Sequence, residues 1–223
     1  MIHLTYDDNL LRLINANLGR FKRQVLPIKN GAIKAAVAIT IVDIHDNPNV
    51  YDIPFKKSWA GHGAIVLTRR AANLRNHSGQ WALPGGRVDS GETPIETVLR
   101  ELEEEIGLTL TANHVIGMLD DYATRSGFNI TPVVLWGGSG ITLRPNPAEV
   151  ASIHRIPLAE FMRNDAPILE EIPESENPVL LMPVGNSWIA APTAAMLYQF
   201  REVALLGNDK RVAHYEQPYF AWR

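Results

Sequence analysis

Cysteine is absent from the 223-residue chain. Disulfide bonds, zinc–thiolate sites and thiol nucleophiles are therefore excluded. A net positive charge is lacking too, because 21 Lys and Arg stand against 24 Asp and Glu and give −3. This balance argues against non-specific binding of nucleic acid or an anionic membrane. A nucleotide ligand would have to be held by local basic residues.

Long apolar runs are also missing. The first twenty residues carry acidic groups early and have neither an apolar segment nor a small-residue cleavage site, so they do not indicate a secretory signal. No apolar stretch approaches the length needed to cross a bilayer. We therefore expect a cytoplasmic protein with no membrane or nucleic-acid partner. The sequence leaves the oligomeric state open, a homodimer included.

The apolar pattern alternates between helical and extended periods along the chain. Helices are predicted over residues 6–22, 93–106 and 190–206. Strands are predicted over residues 35–44, 64–68, 115–123, 129–136 and 150–156. Residues 69–92 are rich in glycine and are expected to be mostly loop and turn. Strands interleaved with helices in this way predict a mixed α/β fold.

The clearest local signals surround the helix that follows Thr93. Thr93 can cap it, Pro94 takes the first helical position, and Glu96 completes a capping box. Gly107 is placed to end the helix. One face of this helix is apolar and is expected to pack on the sheet: Ile95, Leu99, Leu102 and Ile106.

Three glutamates share another face of the same helix. Glu101, Glu104 and Glu105 have the i, i+3, i+4 spacing that brings side chains together. Their like charges repel one another, and a hard divalent cation such as Mg²⁺ would offset that repulsion. A glutamate-rich helix is more often simply a solvated face, and Glu103, which points away from the three, fits that interpretation. The segment upstream decides between the two.

Residues 86–108, GRVDSGETPIETVLRELEEEIGL, resemble a complete Nudix box. Every fixed position of that pattern is filled: Gly86, Glu92, Arg100, Glu101, Leu102, Glu104, Glu105, Gly107 and Leu108. The resemblance implies an α/β/α sandwich with a mixed sheet. It places the Nudix hydrolase domain at residues 34–206, with an N-terminal helical extension at 1–33 and a short C-terminal tail at 207–223.

The resemblance also implies a role for each residue of the box. The three glutamates would hold Mg²⁺ or Mn²⁺ against a pyrophosphate. Arg100 would pair with Glu92 and fix the loop against the helix, without touching substrate. Gly85 and Gly86 would let the backbone approach the metal or a phosphate, although a simple tight turn is compatible with the same residues.

Residues 66–86, VLTRRAANLRNHSGQWALPGG, resemble the motif of the coenzyme A diphosphatase branch of that family. The positions that match in register are Thr68, Arg70, Ala71, Arg75, Gly79, Pro84, Gly85 and Gly86. Val66 and Leu83 depart from it, and Leu83 removes an aromatic ring near the box. The segment at 186–200 echoes the same branch imperfectly, through Trp188, Thr193 and Ala194.

Coenzyme A carries a pyrophosphate and a 3′-phosphate, which would suit the basic residues upstream of the box. Arg69, Arg70 and Arg75 could supply bidentate phosphate contacts, or they could form surface salt bridges. If the strand continues, Arg69 and Arg70 point to opposite faces, so at most one of them should face the site. His77 is either a substrate or catalytic residue or a structural loop histidine.

The general base is the least defined residue. Glu149 is one candidate, and Asp120 and Asp121 are others, but each could be an ordinary solvated carboxylate. The leading hypothesis is hydrolysis of CoA or acyl-CoA to 3′,5′-ADP and phosphopantetheine. Another small nucleotide substrate, such as ADP-ribose or a dinucleotide, is the second. A non-catalytic, nucleotide-sensing module is the third, and the intact box glutamates argue against it.

Overall fold

The computed structural model describes residues 2–27, 31–44, 56–72 and 79–218. The strands in these ranges are β1 (Ile33–Asp43), β2 (Gly63–Arg70), β3 (Trp81–Ala82), β4 (Gly85–Arg87), β5 (Val115–Met118), β6 (Tyr122–Ala123), β7 (Phe128–Gly138), β8 (Val150–Pro157), β9 (Ile168–Ile172), β10 (Ser175–Val184) and β11 (Ser187–Ala190). The helices are α1 (Asp8–Arg20), α2 (Pro94–Ile106), α3 (Leu158–Phe161) and α4 (Thr193–Phe200), and α4 runs on as a π-helical segment, Arg201–Leu205.

The main sheet has eight strands in mixed orientation. Its central path is β3-β2-β1-β7-β5, while β4, β6 and β8 pair with β1, β7 and β2. The two longest strands, β1 and β7, run parallel from the Ile33–Phe128 pair onward. The other pairings are antiparallel. Small and β-branched residues fill β1, which suits a strand covered on both faces.

Helices cover both faces of this sheet. Gly86 pairs with Ala36 of β1, and an added Cβ on Gly86 would touch Glu101 of α2, so α2 lies on the Ala36 face. Leu10 of α1 and Ile41 of β1 meet over the start of β2. Side chains alternate along a strand, so positions 36 and 41 face opposite ways. The result is the α/β/α sandwich that the resemblance implies.

A second sheet of three strands, in the order β11-β10-β9, was not expected from the sequence. Pro178 and Pro183 lie within β10 and weaken the strand pattern, since proline is disfavoured inside sheets. The two residues between β10 and β11, Gly185 and Asn186, are a pair typical of a tight β-hairpin turn, which the sequence could have indicated. Residue 190 belongs to β11, so the prediction of a helix from 190 is wrong at its start.

One further prediction is corrected by the structure, and another is confirmed. The strand predicted over residues 115–123 is interrupted at 119–121, where Asp120 and Asp121 turn to bind arginines. The described residues of 69–92 are mostly loop and turn, as predicted, apart from the end of β2 at Arg69 and Arg70 and the short strands β3 and β4. Short strands rich in glycine escape a periodicity argument because they are too short to show a period.

One hydrophobic core connects all parts of the described chain. Leu10 and Ile14 of α1 are fully buried in it, and so, nearly, are Val212 and Tyr215 of the C-terminal segment. The division at residues 33 and 207 stays a prediction. Within the described ranges, no helix combines the length and the apolar character needed to span a membrane.

Candidate active site

Helix α2 has the ends that its sequence predicts. The Thr93 hydroxyl accepts a hydrogen bond from the Glu96 backbone N–H, and the Glu96 carboxylate accepts one from the Thr93 N–H. Gly107 ends the helix in the left-handed region, at φ 66°. The apolar face packs on the core. Leu102 and Ile106 are fully buried, as is the neighbouring Val98, and Ile95 and Leu99 are partly buried. These contacts fix where the glutamates point.

Two of the three box glutamates point inward. Glu101 is 9% exposed and Glu105 is 6% exposed, whereas Glu104 is exposed. The Gly85 N–H donates a hydrogen bond of 3.2 Å to Oε2 of Glu105. A Cβ on Gly86 would stand 2.0 Å from Oε1 of Glu101. The glycine backbone of β4 is therefore pressed directly against the two buried carboxylates.

Gly85 has a second reason to lack a side chain. Its φ is 153°, and a Cβ there would lie 2.3 Å from the backbone oxygen of Ala36. Positions 85 and 86 of β4 therefore accept only glycine, the first because of β1 and the second because of α2. A simple tight turn does not account for these two residues, because they are paired in the sheet.

Arg100 joins the loop before α2 to the helix itself. Its Nε and Nη2 donate to the two oxygens of Glu92 at 2.9 and 3.1 Å, the expected pairing. Its Nη1 donates to Glu101 at 2.9 Å and to Glu104 at 3.1 Å. The Arg100 hydrogen bonds lower the pKa of Glu92 to about 2, and the Thr97 hydroxyl adds to this effect. Arg100 is thus engaged by three carboxylates rather than by one.

The two buried carboxyl groups, Glu101 and Glu105, both have raised pKa values. Burial is the main cause that raises the pKa of Glu105 to about 8; the charges of Glu101 and Glu149 contribute to the rise, and the Gly85 hydrogen bond and the charge of Arg70 oppose it. Burial also raises the pKa of Glu101, against the opposing hydrogen bond from Arg100, and the charges of Glu104 and Glu149 add to the rise. Four carboxyl groups therefore interact here, and the nearby arginines offset their mutual repulsion only in part.

A hard divalent cation fits the chemistry of this set of donors. Carboxylate oxygens are what Mg²⁺ and Mn²⁺ prefer, and such a cation would relieve the mutual repulsion of the glutamates. Within the part of the chain that the structure describes, no three His, Asp or Glu side chains are arranged as they stand to hold one ion together. Arg100 is bound to both Glu101 and Glu104 instead.

Glu149 lies beside this set, unlike the other candidate bases. The segment before β8 is held to α2 by a hydrogen bond from the Asn146 N–H to the Glu105 backbone oxygen, 2.9 Å. The backbone oxygen of Glu149 accepts a hydrogen bond from the Ala71 N–H at 2.8 Å, next to the end of β2. Asp120 and Asp121 are each 5% exposed and are paired with arginines. These two aspartates therefore serve the fold rather than the site.

A cavity of about 950 Å³ opens beside the glycines of β4. Its floor is formed by alternate residues of β1, and its far wall by β11 and the start of α4. Both Arg69 and Arg70 line it, so the expectation that only one of them reaches the site is wrong. The reason is a register shift between the two arginines in the pairing with β8, and such irregularities re-aim consecutive side chains.

The two arginines are held differently. The Arg69 guanidinium lies 3.9 Å from the ring centroid of Trp81 and donates to the Gly79 oxygen at 2.8 Å. Within the described residues, the buried Nε of Arg70 has no hydrogen-bond partner. Arg70 is therefore the arginine with donor capacity to spare beside Glu105.

Other expected residues fall elsewhere or were missed. Arg75 and His77 lie outside the described residues. The cavity walls include four side chains that the sequence reasoning did not select: Arg87, Phe128, Met196 and Gln217. Arg87 follows the box glycine directly, which was a usable signal. Gln217 reaches the cavity only through long-range packing of the chain's last segment, which no local pattern reveals.

Comparisons with known proteins agree with this geometry. The NUDIX domain family matches residues 59–174, more than half of the chain. The chain is 45% identical over 100 residues to uncharacterized Nudix hydrolase NudL of Yersinia enterocolitica, covering 44% of this chain and 51% of that one. The protein of the same name from Photorhabdus laumondii is 43% identical over 99 residues, covering 44% and 53%. The match thus spans about half the length of these curated relatives.

A solved structure shares the fold. The MutT/nudix family protein from Enterococcus faecalis superposes with a TM-score of 0.50 and 17% identity, covering 81% of this chain and 65% of that one. At this identity the likeness concerns the fold alone. The family match covers the glutamate helix, the two glycines of β4 and Glu149 together. On the strength of that match, this chain belongs to the Nudix family.

Proposed function

We propose that the protein is a metal-dependent pyrophosphohydrolase acting on a small nucleoside diphosphate derivative. The leading candidate for this substrate is CoA or acyl-CoA, which would be hydrolysed to 3′,5′-ADP and (acyl-)phosphopantetheine. One observation carries this proposal: the cluster of interacting carboxylates meets, across Gly85 and Gly86, a large cavity whose walls hold several arginines. Negative groups for a cation and positive groups for phosphates thus lie side by side.

Glu101, Glu104 and Glu105 are the proposed ligands of Mg²⁺ or Mn²⁺. Such an ion offsets charge on the phosphate oxygens and lowers the pKa of a bound water. Arg100 and Glu92 would be positioning residues, because their ion pair holds the loop before α2 against the helix that carries the proposed ligands. Gly85 and Gly86 keep the backbone close to the same carboxylates.

In the proposed reaction, a water oxygen adds to one phosphorus of the pyrophosphate and the bridging P–O bond breaks. The water proton passes to a carboxylate, and the departing phosphate carries away the bond's electron pair. Glu149 is the proposed proton acceptor, because it is exposed and its charge acts on both Glu101 and Glu105. Arg70 would hold a phosphate oxygen beside them.

Coenzyme A is favoured over other substrates by the in-register motif before the box and by the arginines in the cavity. Arg69, Arg70 and Arg75 are the proposed contacts for its phosphates, and His77 is a further candidate from the same motif. Leu83 stands where the motif has an aromatic residue, and it is buried in the cavity wall. ADP-ribose or a dinucleotide would use the same carboxylates and glycines.

A product-resolved assay with Mg²⁺ or Mn²⁺ tests the proposal, using CoA, acyl-CoA, 3′-dephospho-CoA, ADP-ribose, NADH and nucleoside triphosphates. A charge-assisted contact to the 3′-phosphate should favour CoA over 3′-dephospho-CoA by about ten- to a hundredfold in kcat/KM. Arg70→Ala should shrink that preference, and Arg12→Ala, on the surface of α1, should not. Faster cleavage of ADP-ribose, with no effect of the 3′-phosphate, would contradict the assignment to CoA.

A further inference from the structure

Arg87 ends β4 and directly follows the two glycines that touch the buried carboxylates. It pairs with Ala35 of β1, and Gly85 pairs with Val37, so positions 85 and 87 both face the cavity. The two positions are roughly 7 Å apart along the strand. The Arg100 Nη2 donates to the Arg87 backbone oxygen at 3.3 Å. The backbone of Arg87 is thus held to helix α2, while its side chain lines the cavity.

The Arg87 guanidinium is a cation without a counter-charge. Within the described ranges its side chain forms no ion pair and no hydrogen bond, whereas Arg100 and Arg125 are both held by carboxylates. The guanidinium lies over the Phe128 ring, 5.5 Å from the ring centroid. A guanidinium placed over a ring uses its flat face, and its N–H donors lie in its plane. Phe128 therefore orients Arg87 and leaves these donors available to a ligand.

Two hydroxyl groups lie in the turn just before Phe128. Thr124 and Ser126 line the same cavity, and their hydroxyl oxygens are 3.0 Å apart. The Thr124 hydroxyl accepts a hydrogen bond from the Phe128 N–H at 2.9 Å. One hydroxyl of the pair donates to the other, so the second keeps its own proton for a ligand. Arg125, between them, is paired with Glu216 and adds little net charge here.

We propose that Arg87, together with the Thr124 and Ser126 hydroxyls, forms a second phosphate subsite, which binds a phosphate monoester on the ribose of the substrate. The inference rests on the proposed function, in which the diphosphate lies at the carboxylates and Gly85. The ribose would then extend from that end of the cavity to Arg87. A planar guanidinium and a hydroxyl donor suit the several acceptor oxygens of a phosphate monoester. The 3′-phosphate of CoA is such a group.

Arg70 and Arg87 would contact the phosphates of the substrate from two different strands. Arg70 ends β2, and its charge acts on Glu105 in the carboxylate cluster. Arg87 instead lies at the Phe128 end of the cavity. Loss of Arg70 should therefore weaken ligands with one phosphate as well as those with two. Loss of Arg87 should weaken only the ligands that carry the second phosphate.

Calorimetry of the full chain with 3′,5′-ADP, 2′,5′-ADP and AMP tests the inference without any hydrolysis. A charge-assisted contact should make 3′,5′-ADP bind about ten- to a hundredfold more tightly than AMP. Arg87→Ala should remove most of this preference and leave the Kd for AMP unchanged. Arg87→Lys should restore part of it, because lysine keeps the charge without the planar donors. Ser126→Ala should reduce the preference by less than Arg87→Ala does.

Lys34→Ala is the matched control for Arg87→Ala. Lys34 is an exposed cation on β1, next to the Ala35 that pairs with Arg87. Side chains alternate along a strand, so Lys34 lies on the opposite face of the sheet from the cavity. Its removal changes the net charge by the same amount and should leave the preference for 3′,5′-ADP intact. Arg87 is itself exposed, so both variants should keep the Tm of the parent.

Three results would overturn the inference. Arg87→Ala could keep the full preference for 3′,5′-ADP. It could weaken AMP and 3′,5′-ADP equally, which would place Arg87 at the diphosphate. Lys34→Ala could lose as much as Arg87→Ala, which would reduce the effect to general charge.

Other results separate the subsite from the proposed function. An Arg87-dependent preference for 2′,5′-ADP alone would support a ribose-phosphate subsite and contradict CoA as the substrate. If the preference depends on Arg87 but no pyrophosphate compound is cleaved, the phosphate subsite stands and the proposed function falls.

Discussion

Replacing Glu105 with glutamine should change how the stability of the metal-free protein depends on pH. Burial raises the pKa of this carboxyl from the usual 4.5 to about 8. Between these two values the folded chain binds a proton at Glu105 and the unfolded chain does not. The stability that protonated Glu105 contributes is therefore fully present below about pH 4.5 and is lost as the pH rises through 8. At about 1.4 kcal/mol per pKa unit, the loss is on the order of 5 kcal/mol.

Glutamine resembles the protonated form of Glu105, and its oxygen can still accept from the Gly85 N–H. In a chelator, Glu105→Gln should match the parent near pH 4.5 and exceed it at pH 8. For a chain of this length, the difference in Tm at pH 8 should be roughly 10 °C. Thermal unfolding at several pH values measures both slopes. Glu103→Gln, on the exposed side of α2, should behave as the parent throughout.

Added Mn²⁺ separates this reasoning from a general effect of burial. At a hundredfold excess over its Kd, the ion should stabilise the parent by about 2.7 kcal/mol. It should stabilise Glu105→Gln much less, because one proposed ligand has lost its charge. Equal pH slopes for the parent and Glu105→Gln in chelator would refute the argument, since Glu105 would then be ionised in the folded chain without cost.

Three further outcomes are expected. Glu104→Gln should lower turnover by about 10³, or roughly 4 kcal/mol of transition-state stabilisation, while Glu103→Gln leaves it nearly unchanged; a similar loss in both variants would remove Glu104 from the site. Arg100→Ala and Glu92→Ala should each lower activity and Tm, and the double variant should lose less than the sum, whereas strict additivity would mean that the pair does not interact. Gly86→Ala should cost about 1–3 kcal/mol by overcrowding and abolish most activity, because the new Cβ displaces a buried carboxylate; normal kinetics for Gly86→Ala would show that the carboxylate can move without loss.

The sequence predicted the parts of the fold whose signals are local. The cap at Thr93, the capping box to Glu96 and the end at Gly107 define α2 without reference to the rest of the chain. The ion pair of Arg100 with Glu92 follows from the family pattern and is present in the structure. The periodic strands β1, β2, β7 and β8 were found to within a few residues, because their apolar patterns are long enough to count.

What the sequence left out depends on contacts between distant segments. Gln217 reaches the cavity because its neighbour Glu216 binds Arg125, more than ninety residues earlier in the chain. Arg69 and Arg70 share one cavity only because the pairing of β2 with β8 shifts between them. Simple alternation of side chains predicts the opposite. Neither fact can be read from propensity, since each is decided by the register of a partner strand or by a single ion pair.

The interrupted strand at residues 119–121 has a consequence for how the chain holds its two ends. Asp121 binds Arg23, just after α1, and Asp120 binds Arg211, near the chain's last described segment. Arg211 also donates to the Lys22 oxygen at 3.1 Å. Removing the cation from a buried carboxylate destabilises the fold, by about 3–5 kcal/mol where both partners are buried and by less here, where the arginines are partly exposed. A chain cut at residue 34 would leave Asp121 buried without its cation, so the extension, the sheet and the tail should melt in a single transition.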